Sequence, residues 1–517
     1  MNTRLLLALF LATLTVLRWS WNADHEISPE AAYLALCGNS PAPAYYDGPP
    51  GTAICAALGT ALAGSSALGA ALLWPVFAFI ATIALYQLVA PLCGTRAAFT
   101  LAILLNLLPA FNQASLVPGS ALPIAMFALG FMACGWRGLD SGSVAWWLLA
   151  GLCAAGGLLF GYVAWFLVPS LGLVLLASRR WRKQFRAPGF WVAALPPVLV
   201  LTMLLAWNAM HGWVHFIGGT WQTAFTFDWL KLPSGLASAT SSLSPLVVVA
   251  VAAGFLSCLR VIRVAPKAKF LALPALSALT VAAYLVLSGS AASGIGLAAA
   301  ALALPLLAWL PAEPAASRTR STSLPLRLVH LMREAICSPL FLSGVFLTAA
   351  LATFVSLART MPPGNPVSAP VVGEIEALRS ANTQSQPVFL IAENAALASA
   401  IALHLQGADS SLAGHPPAYV LESPFADSQY ALWPRYDEFA DQEAPLPPGA
   451  ADPFTEQAGG NPFLGRSALY ITTQAPDDLP QAITAAFAAH RLLAEITTPS
   501  GQILRIFLCE DYQTLPL

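Results

Sequence analysis

The sequence predicts a polytopic α-helical membrane protein of about eleven transmembrane helices, followed by a small C-terminal extracytoplasmic α/β domain. Three observations lead there. Charged residues make up 9% of the 517 and apolar residues 57%, with a mean hydropathy of +0.68, whereas soluble domains carry about a quarter charged residues. Apolar runs recur near the roughly 20 residues that cross a hydrocarbon core. After Thr360 the character changes: residues 361–517 hold 17 acidic and five basic side chains, and no apolar run there is long enough to span.

In chain order, spans are expected near 4–20, 69–93, 98–112, 119–136, 143–159, 162–178, 188–207, 243–259, 270–288, 292–310 and 336–357. The first also fits a short signal peptide, but no small-x-small cleavage site precedes Asp24. Between the first two spans lies a loop over 21–68 whose stretch Asn22–Gly51 carries Asp24, Glu26, Glu30 and Asp47 and no Lys or Arg. The run 53–68 is small and Gly-rich, and suits an interfacial helix better than a span. Basic residues order the rest. With the N-terminus cytoplasmic, the inner connections hold 16 of the 24 Lys and Arg, including the five between Arg179 and Arg186. The outer connections before the last span hold only Arg18 and Lys231. The positive-inside rule then puts the first loop and the C-terminal region outside, with Arg18 snorkelling at the outer interface.

The domain over 1–360 is thus read as membrane-embedded and that over 361–517 as soluble. In the second, strands are expected at Val388–Ala392, Ala418–Leu421, Ala468–Thr472 and Ile503–Cys509, with helices near 394–406 and 477–490. Its acidity fits a domain held off an anionic leaflet, and solubility explains it equally well. Cys37 and Cys55 are candidates for a disulfide outside, or for small apolar packing. No spacing matches a metal site, a phosphate-binding loop or a nucleotide fold. Neither a metal nor any other cofactor is indicated, although a divalent ion is compatible with carboxylates at a membrane surface. Few ionisable residues lie within spans, which argues against a solute transporter.

Several segments resemble the polytopic C-type glycosyltransferases, in particular bacterial members similar to protein O-mannosyltransferases and to the aminoarabinose transferase of lipid A. ISPEAAY (Ile27–Tyr33) and AYYDGPP (Ala44–Pro50) stand where that family has an Asp-Glu-Ala-Tyr-type motif and an aromatic-Tyr-Asp-His-Pro-Pro turn. AWNAMHGWVHF (Ala206–Phe216) resembles its Trp-Asn-x-x-His-Gly-Trp segment. FLIAENAALASAIALHLQG (Phe389–Gly407) and SQYALWP (Ser428–Pro434) resemble the appended domain of many members. The resemblance implies a C-type glycosyltransferase-like fold in a bacterial plasma membrane. It also implies transfer of a sugar from a polyprenyl-phosphate carrier to a lipid, glycan or protein acceptor at the outer face, with no nucleic-acid partner. Such chemistry asks for a carboxylate as general base and for cationic or hydrogen-bonding groups at the departing phosphate.

On that reading Glu30 and Asp47 are the candidate bases, and Tyr45, Tyr46, His211, Trp213 and Lys231 the candidate substrate-binding residues. The chain departs from the family pattern at Pro29, Gly48, Gly119 and Gly161 (in Phe160-Gly161-Tyr162), where the family carries Asp, His, Asp and the phosphate-facing Lys of a Ser-Lys-Tyr. A catalytically inactive homologue that binds a polyprenyl-linked glycan or scaffolds an enzyme is therefore the alternative. Each candidate also has a structural reading: Glu30 as a helix-start carboxylate, Asp47 as a turn residue, and the aromatic and His residues as members of an interfacial belt.

Overall fold

The computed structural model describes residues 3–217, 266–288, 295–309, 367–383, 387–405, 414–423, 427–437, 461–475, 479–498 and 501–513, with isolated positions elsewhere. The helices are α1 (Thr3–Ala23), α2 (Pro29–Asn39), α3 (Gly51–Ala63), α4 (Ala67–Ala71), α5 (Trp74–Cys93), α6 (Thr95–Asn106), α7 (Pro109–Leu116), α8 (Ala121–Ser141), α9 (Val144–Leu158), α10 (Leu167–Ala177), α11 (Pro188–Met210), α12 (Val214–Ile217), α13 (Pro266–Ser288) and α14 (Ile295–Ala303). Four helices among the described residues are long and apolar enough to cross a membrane: Arg4–Ala23, Ala67–Cys93, Ala121–Ser141 and Pro188–Met210. A fifth candidate is the pair α6 and α7, bent by 63° at Leu107 and Leu108. Shorter apolar helices fall on the expected spans at 143–159, 162–178, 270–288 and 292–310. The spans expected at 243–259 and 336–357 lie largely outside the described residues.

Helix packing here depends on small residues, as it must where lipid tails remove the hydrophobic drive for helices to associate. A Cβ on Gly151 of α9 would stand 2.5 Å from the Ala193 carbonyl oxygen of α11, so those two backbones meet directly. Trp147, fully buried, fills the space beside Gly138 and Gly189. At the bend, Pro109 opens α7 and removes a donor that could not have continued α6. The loose polar groups are gathered by side chains: Asn112 Nδ2 reaches Leu108 O, and Asn106 Nδ2 donates to Thr82 Oγ1 at 2.9 Å.

Arg18 joins this network and corrects the snorkelling expectation. It is buried, and one guanidinium nitrogen donates to Oδ1 of Asn106 at 3.1 Å and of Asn112 at 2.9 Å. A guanidinium buried in lipid needs oxygen partners, and two amides inside the bundle supply them without a long reach to water.

The C-terminal part holds a five-stranded sheet in the order β2-β1-β3-β5-β4, with β1 (Phe389–Ala392), β2 (Tyr419–Val420), β3 (Ala468–Thr472), β4 (Phe487–Thr497) and β5 (Ile503–Tyr512). It is flanked by α15 (Ala369–Asn382), α16 (Ala395–His404) and the short α17 (Gln481–Thr484). β1 pairs in parallel with β2 and β3, and β5 pairs antiparallel with β3 and β4. β1 and β3 are buried at every position, as expected of strands covered on both faces. The helix expected over 477–490 is not there: only Gln481–Thr484 is helical, and strand β4 begins at Phe487.

Cys37 and Cys55 are both free thiols, so the disulfide option is not taken. His404 is half-buried at the end of α16, where burial lowers its pKa.

Candidate functional site

The first loop folds by local rules. Ser28 caps α2, its Oγ accepting from the Ala31 amide at 3.2 Å, and Pro29 takes the first helical position, where its missing N–H costs nothing. Glu30 in the first turn complements the helix dipole. Past Ser40 the chain tightens into a turn in which Tyr45 and Gly48 exchange both backbone hydrogen bonds, at 2.9 and 3.0 Å. Gly48 sits at φ 144°, which L side chains rarely adopt. Glycine is thus the residue this backbone prefers at position 48. Gly51 then opens α3 and donates to Leu159 O at 2.7 Å.

The turn is held on one side by the end of α11. Gly212 and Trp213 both take left-handed backbone, φ 65° and 57°, and bring the chain back so that the Trp213 amide meets Asn208 O at 2.8 Å. This return places buried His215 between three partners. Its Nε2 donates to the Tyr45 carbonyl, and its Nδ1 accepts from Tyr162 Oη at 2.7 Å and from Asn208 Nδ2 at 2.9 Å. Only a neutral imidazole with its proton on Nε2 satisfies that set. Burial lowers the His215 pKa, against the opposing pull of the Tyr45 carbonyl. Trp207 stacks on the rings of both His211 (4.0 Å between centroids) and His215 (5.1 Å).

On its other side the turn meets the sheet-bearing domain. Tyr33 of α2 donates its hydroxyl to an Asp47 carboxylate oxygen and accepts from the Gln429 amide at 2.8 Å. The Gln429 side-chain oxygen accepts from the Tyr46 amide at 2.7 Å. SQYALWP and AYYDGPP, separated by almost 400 residues, are therefore in direct contact. Asp47 lies open at its edge, yet desolvation raises its pKa; the Tyr33 hydroxyl opposes the shift, and nearby Asp427 adds to it.

A second contact leaves a cavity. α2 packs on α16, and between them opens a space of about 190 Å³ lined by Pro29, Glu30, Asn394, Leu397, Thr473 and Gln502, among others. Among the described residues the Glu30 carboxylate has no hydrogen-bond or ion-pair partner, and no Lys, Arg or His lines the space. Glu30 and Tyr33 are three apart on α2, which makes them neighbours on one helix face. The two carboxylates proposed from sequence therefore flank Tyr33.

The other sequence candidates fall as follows. Tyr45 is buried, its hydroxyl donating to Ser40 O at 3.2 Å, and Tyr46 is buried beside Gln429. His211 bonds Trp207 O at 2.8 Å, and Trp213 is 43% exposed. Lys231 lies outside the described residues. Tyr33, Tyr162, Asn208, His215 and Gln429 carry the geometry but were not among the candidates; the quoted motifs contain four of them, and only long-range contact reveals their roles. Among the described residues no group of three or more His, Cys, Asp or Glu is arranged to hold a metal ion.

Comparison with known proteins agrees with the resemblance read from sequence. Residues 47–207 match the family model of dolichyl-phosphate-mannose-protein mannosyltransferase. ArnT from Cupriavidus metallidurans bound to undecaprenyl phosphate superposes with a TM-score of 0.57 at 15% identity, covering 96% of this chain and 97% of that one. The apo state of the same protein gives 0.57 and 15% over 98% of both chains. The apo oligosaccharyltransferase of Archaeoglobus fulgidus aligns at 14% identity with a TM-score of 0.46, over 78% of this chain and 63% of that one. No curated protein sequence matches the chain. The chain thus resembles the polytopic C-type glycosyltransferases, in fold along nearly its whole length and in sequence over 47–207.

Proposed function

We propose that the protein transfers a sugar from a polyprenyl-phosphate carrier to a lipid, glycan or protein acceptor at the extracytoplasmic face of a bacterial plasma membrane. One observation carries this reading: in a fold like that of ArnT, Glu30, a carboxylate with no partner among the described residues, borders a cavity at the junction of the first loop and the C-terminal domain. The orientation rests on the gathering of 16 of 24 basic residues in alternate connections. Glu30 takes the proton from the acceptor hydroxyl as it attacks the anomeric carbon, and the lipid phosphate leaves. Asp47, tethered by Tyr33 one helical turn away, holds the turn and its charge beside that reaction. His211 and Lys231 serve the phosphate, and the exposed Trp213, with the buried Tyr45 and Tyr46 of the turn, shapes the approach of the sugar.

The test is transfer from a panel of polyprenyl-phosphate sugars in reconstituted membranes. Glu30→Gln keeps the cavity's shape and lowers turnover by about 10²-fold or more, and Asp47→Asn also lowers it. Wild-type turnover in Glu30→Gln ends the assignment of the base.

A second reading has its own observation. No cation among the described residues lines the cavity, and the family's acidic and basic positions are Pro29, Gly48, Gly119 and Gly161 here. A protein built this way binds a polyprenyl-linked glycan without turning it over. Saturable binding of such a donor, with no transfer to any acceptor, selects that reading.

A further inference from the structure

The cavity between α2 and the sheet stands where an α/β sheet most often takes a ligand. From β1 the chain passes through α16 to β2 on one side, and from β3 it leaves toward β5 and β4 on the other. The connections diverge between β1 and β3, and the crevice beyond the carboxyl ends of these two strands is the topological switch point. Asn394 stands two residues past the end of β1, and Thr473 directly follows β3. Both line the cavity, together with Gln502 at the end of the β4–β5 turn, just before β5, and Glu30 from the first loop. Four polar side chains thus converge from four chain segments, over an apolar floor of Pro29, Leu397 and Ala400.

We propose that this crevice binds an uncharged sugar ring of a glycan. The chemistry selects that ligand. The Gln502 amide and the Glu30 carboxylate, with the Thr473 hydroxyl oxygen as a further acceptor, serve vicinal hydroxyls, while Asn394 caps α16 through the Leu397 amide at the rim. The aliphatic floor suits the C–H face of a pyranose. Among the described residues the only formal charge in the lining is negative, and the neighbouring Glu393 adds a second; its carboxylate accepts from the Thr473 amide at 2.7 Å and from the Thr473 hydroxyl. A phosphorylated or carboxylated ligand meets like charge in a half-enclosed space. The size agrees: about 190 Å³ lies below the roughly 300–1,000 Å³ of sites for drug-sized ligands and fits one ring rather than a chain. The crevice is thereby the subsite for the acceptor glycan. That word rests on the transferase reading above; the binding itself does not.

The experiment measures binding of cellobiose, maltose and glucose 6-phosphate to the full chain in nanodiscs by saturation-transfer NMR. At least one neutral disaccharide is expected to bind and glucose 6-phosphate to fail. Gln502→Ala weakens the neutral ligand by about 2–10-fold, the effect of one hydrogen bond. Ala396→Phe, which fills the cavity from its wall, abolishes binding while melting stays that of wild type. Equal or tighter binding of the phosphate ester, no binding of either disaccharide, or binding indifferent to both variants overturns the proposal. Binding that follows these variants in a protein that transfers nothing overturns the transferase reading alone.

Discussion

His215 is satisfied only as a neutral ring, so proton concentration acts on it directly. The folded state depresses its pKa by burial. Its contribution to stability is therefore full above the ordinary imidazole value, near 6.5, and falls away as pH drops below that value toward the folded pKa. A second proton on Nδ1 removes the acceptor that Tyr162 and Asn208 both use. The expected outcome is a turn at Tyr45–Gly48 that loosens as pH falls below about 6.5, read as lower amide protection factors, corrected for the intrinsic exchange rate at each pH, over residues 44–48. His215→Ala removes the pH dependence and costs about 1–3 kcal/mol, the penalty for leaving buried polar groups unmet; Tyr162→Phe costs less, because Asn208 still donates. A protection factor at this turn in wild type that does not change with pH contradicts the Nε2 tautomer. None of this could be read from spacing, since His215 and the Tyr45 carbonyl it meets are 170 residues apart. The AWNAMHGWVHF motif signalled that the segment matters, and only contact shows that its second His holds the first loop.

Helix α2 is the element on which the site depends, and its neighbour α3 sets its position. A Cβ on Gly38 would lie 2.1 Å from the Ala53 carbonyl oxygen and 2.7 Å from Ala57 Cβ, so α2 and α3 touch only because residue 38 has no side chain. Backbone cannot yield as a side-chain tip does. Gly38→Ala is expected to cost about 2–3 kcal/mol by overpacking and to pry open the contact that buries Cys37. That thiol is buried, and desolvation, with the Asp47 charge adding, pushes its pKa up to about 12. Maleimide labelling of Cys37, followed by peptide mass spectrometry, is slow in wild type and accelerates in Gly38→Ala. Gly373→Ala, with nothing within 4 Å of the new Cβ, is the control. Unchanged Cys37 labelling counts against the close approach.

At this scale the sequence was legible where apolar run length decides the outcome, as at α1, α5, α8 and α11, and where short apolar and aromatic runs are buried, as at β1 and β3. It misled at β4. FAAHRLLAEIT is made largely of good helix formers, and its strand state is imposed by antiparallel pairing with β5 at the sheet edge. The α6–α7 bend was half legible: Pro109 marks a break, but nothing local foretells that Asn106 and Asn112 turn inward to hold a buried Arg18.

Across the whole molecule, the helical part and the sheet-bearing part are joined by α2 against α16 and by Gln429 against the Tyr45–Gly48 turn. Gln429 is buried and uses both ends of its reach: its main-chain amide donates to Tyr33, and its side-chain oxygen accepts from the Tyr46 amide. Because Tyr33 also holds Asp47, docking of the domain bears on the carboxylate through a single intervening hydroxyl. Gln429→Ala keeps the main-chain bond and removes the other, leaving the Tyr46 N–H without its side-chain acceptor in a buried place, at a cost of about 1–3 kcal/mol. That cost is local. It should appear as roughly tenfold or greater loss of exchange protection at Tyr46, since 1.4 kcal/mol is a factor of ten in an opening equilibrium. Strands β1 and β3, buried within their own sheet, should keep their protection. Gln429→Glu restores an acceptor but sets a third carboxylate beside Asp47 and Asp427, so it should recover protection at low pH and lose it as that carboxylate ionises. Protection at Tyr46 that survives Gln429→Ala would show that the helix pair alone holds the domain, and that Asp47 does not sense it.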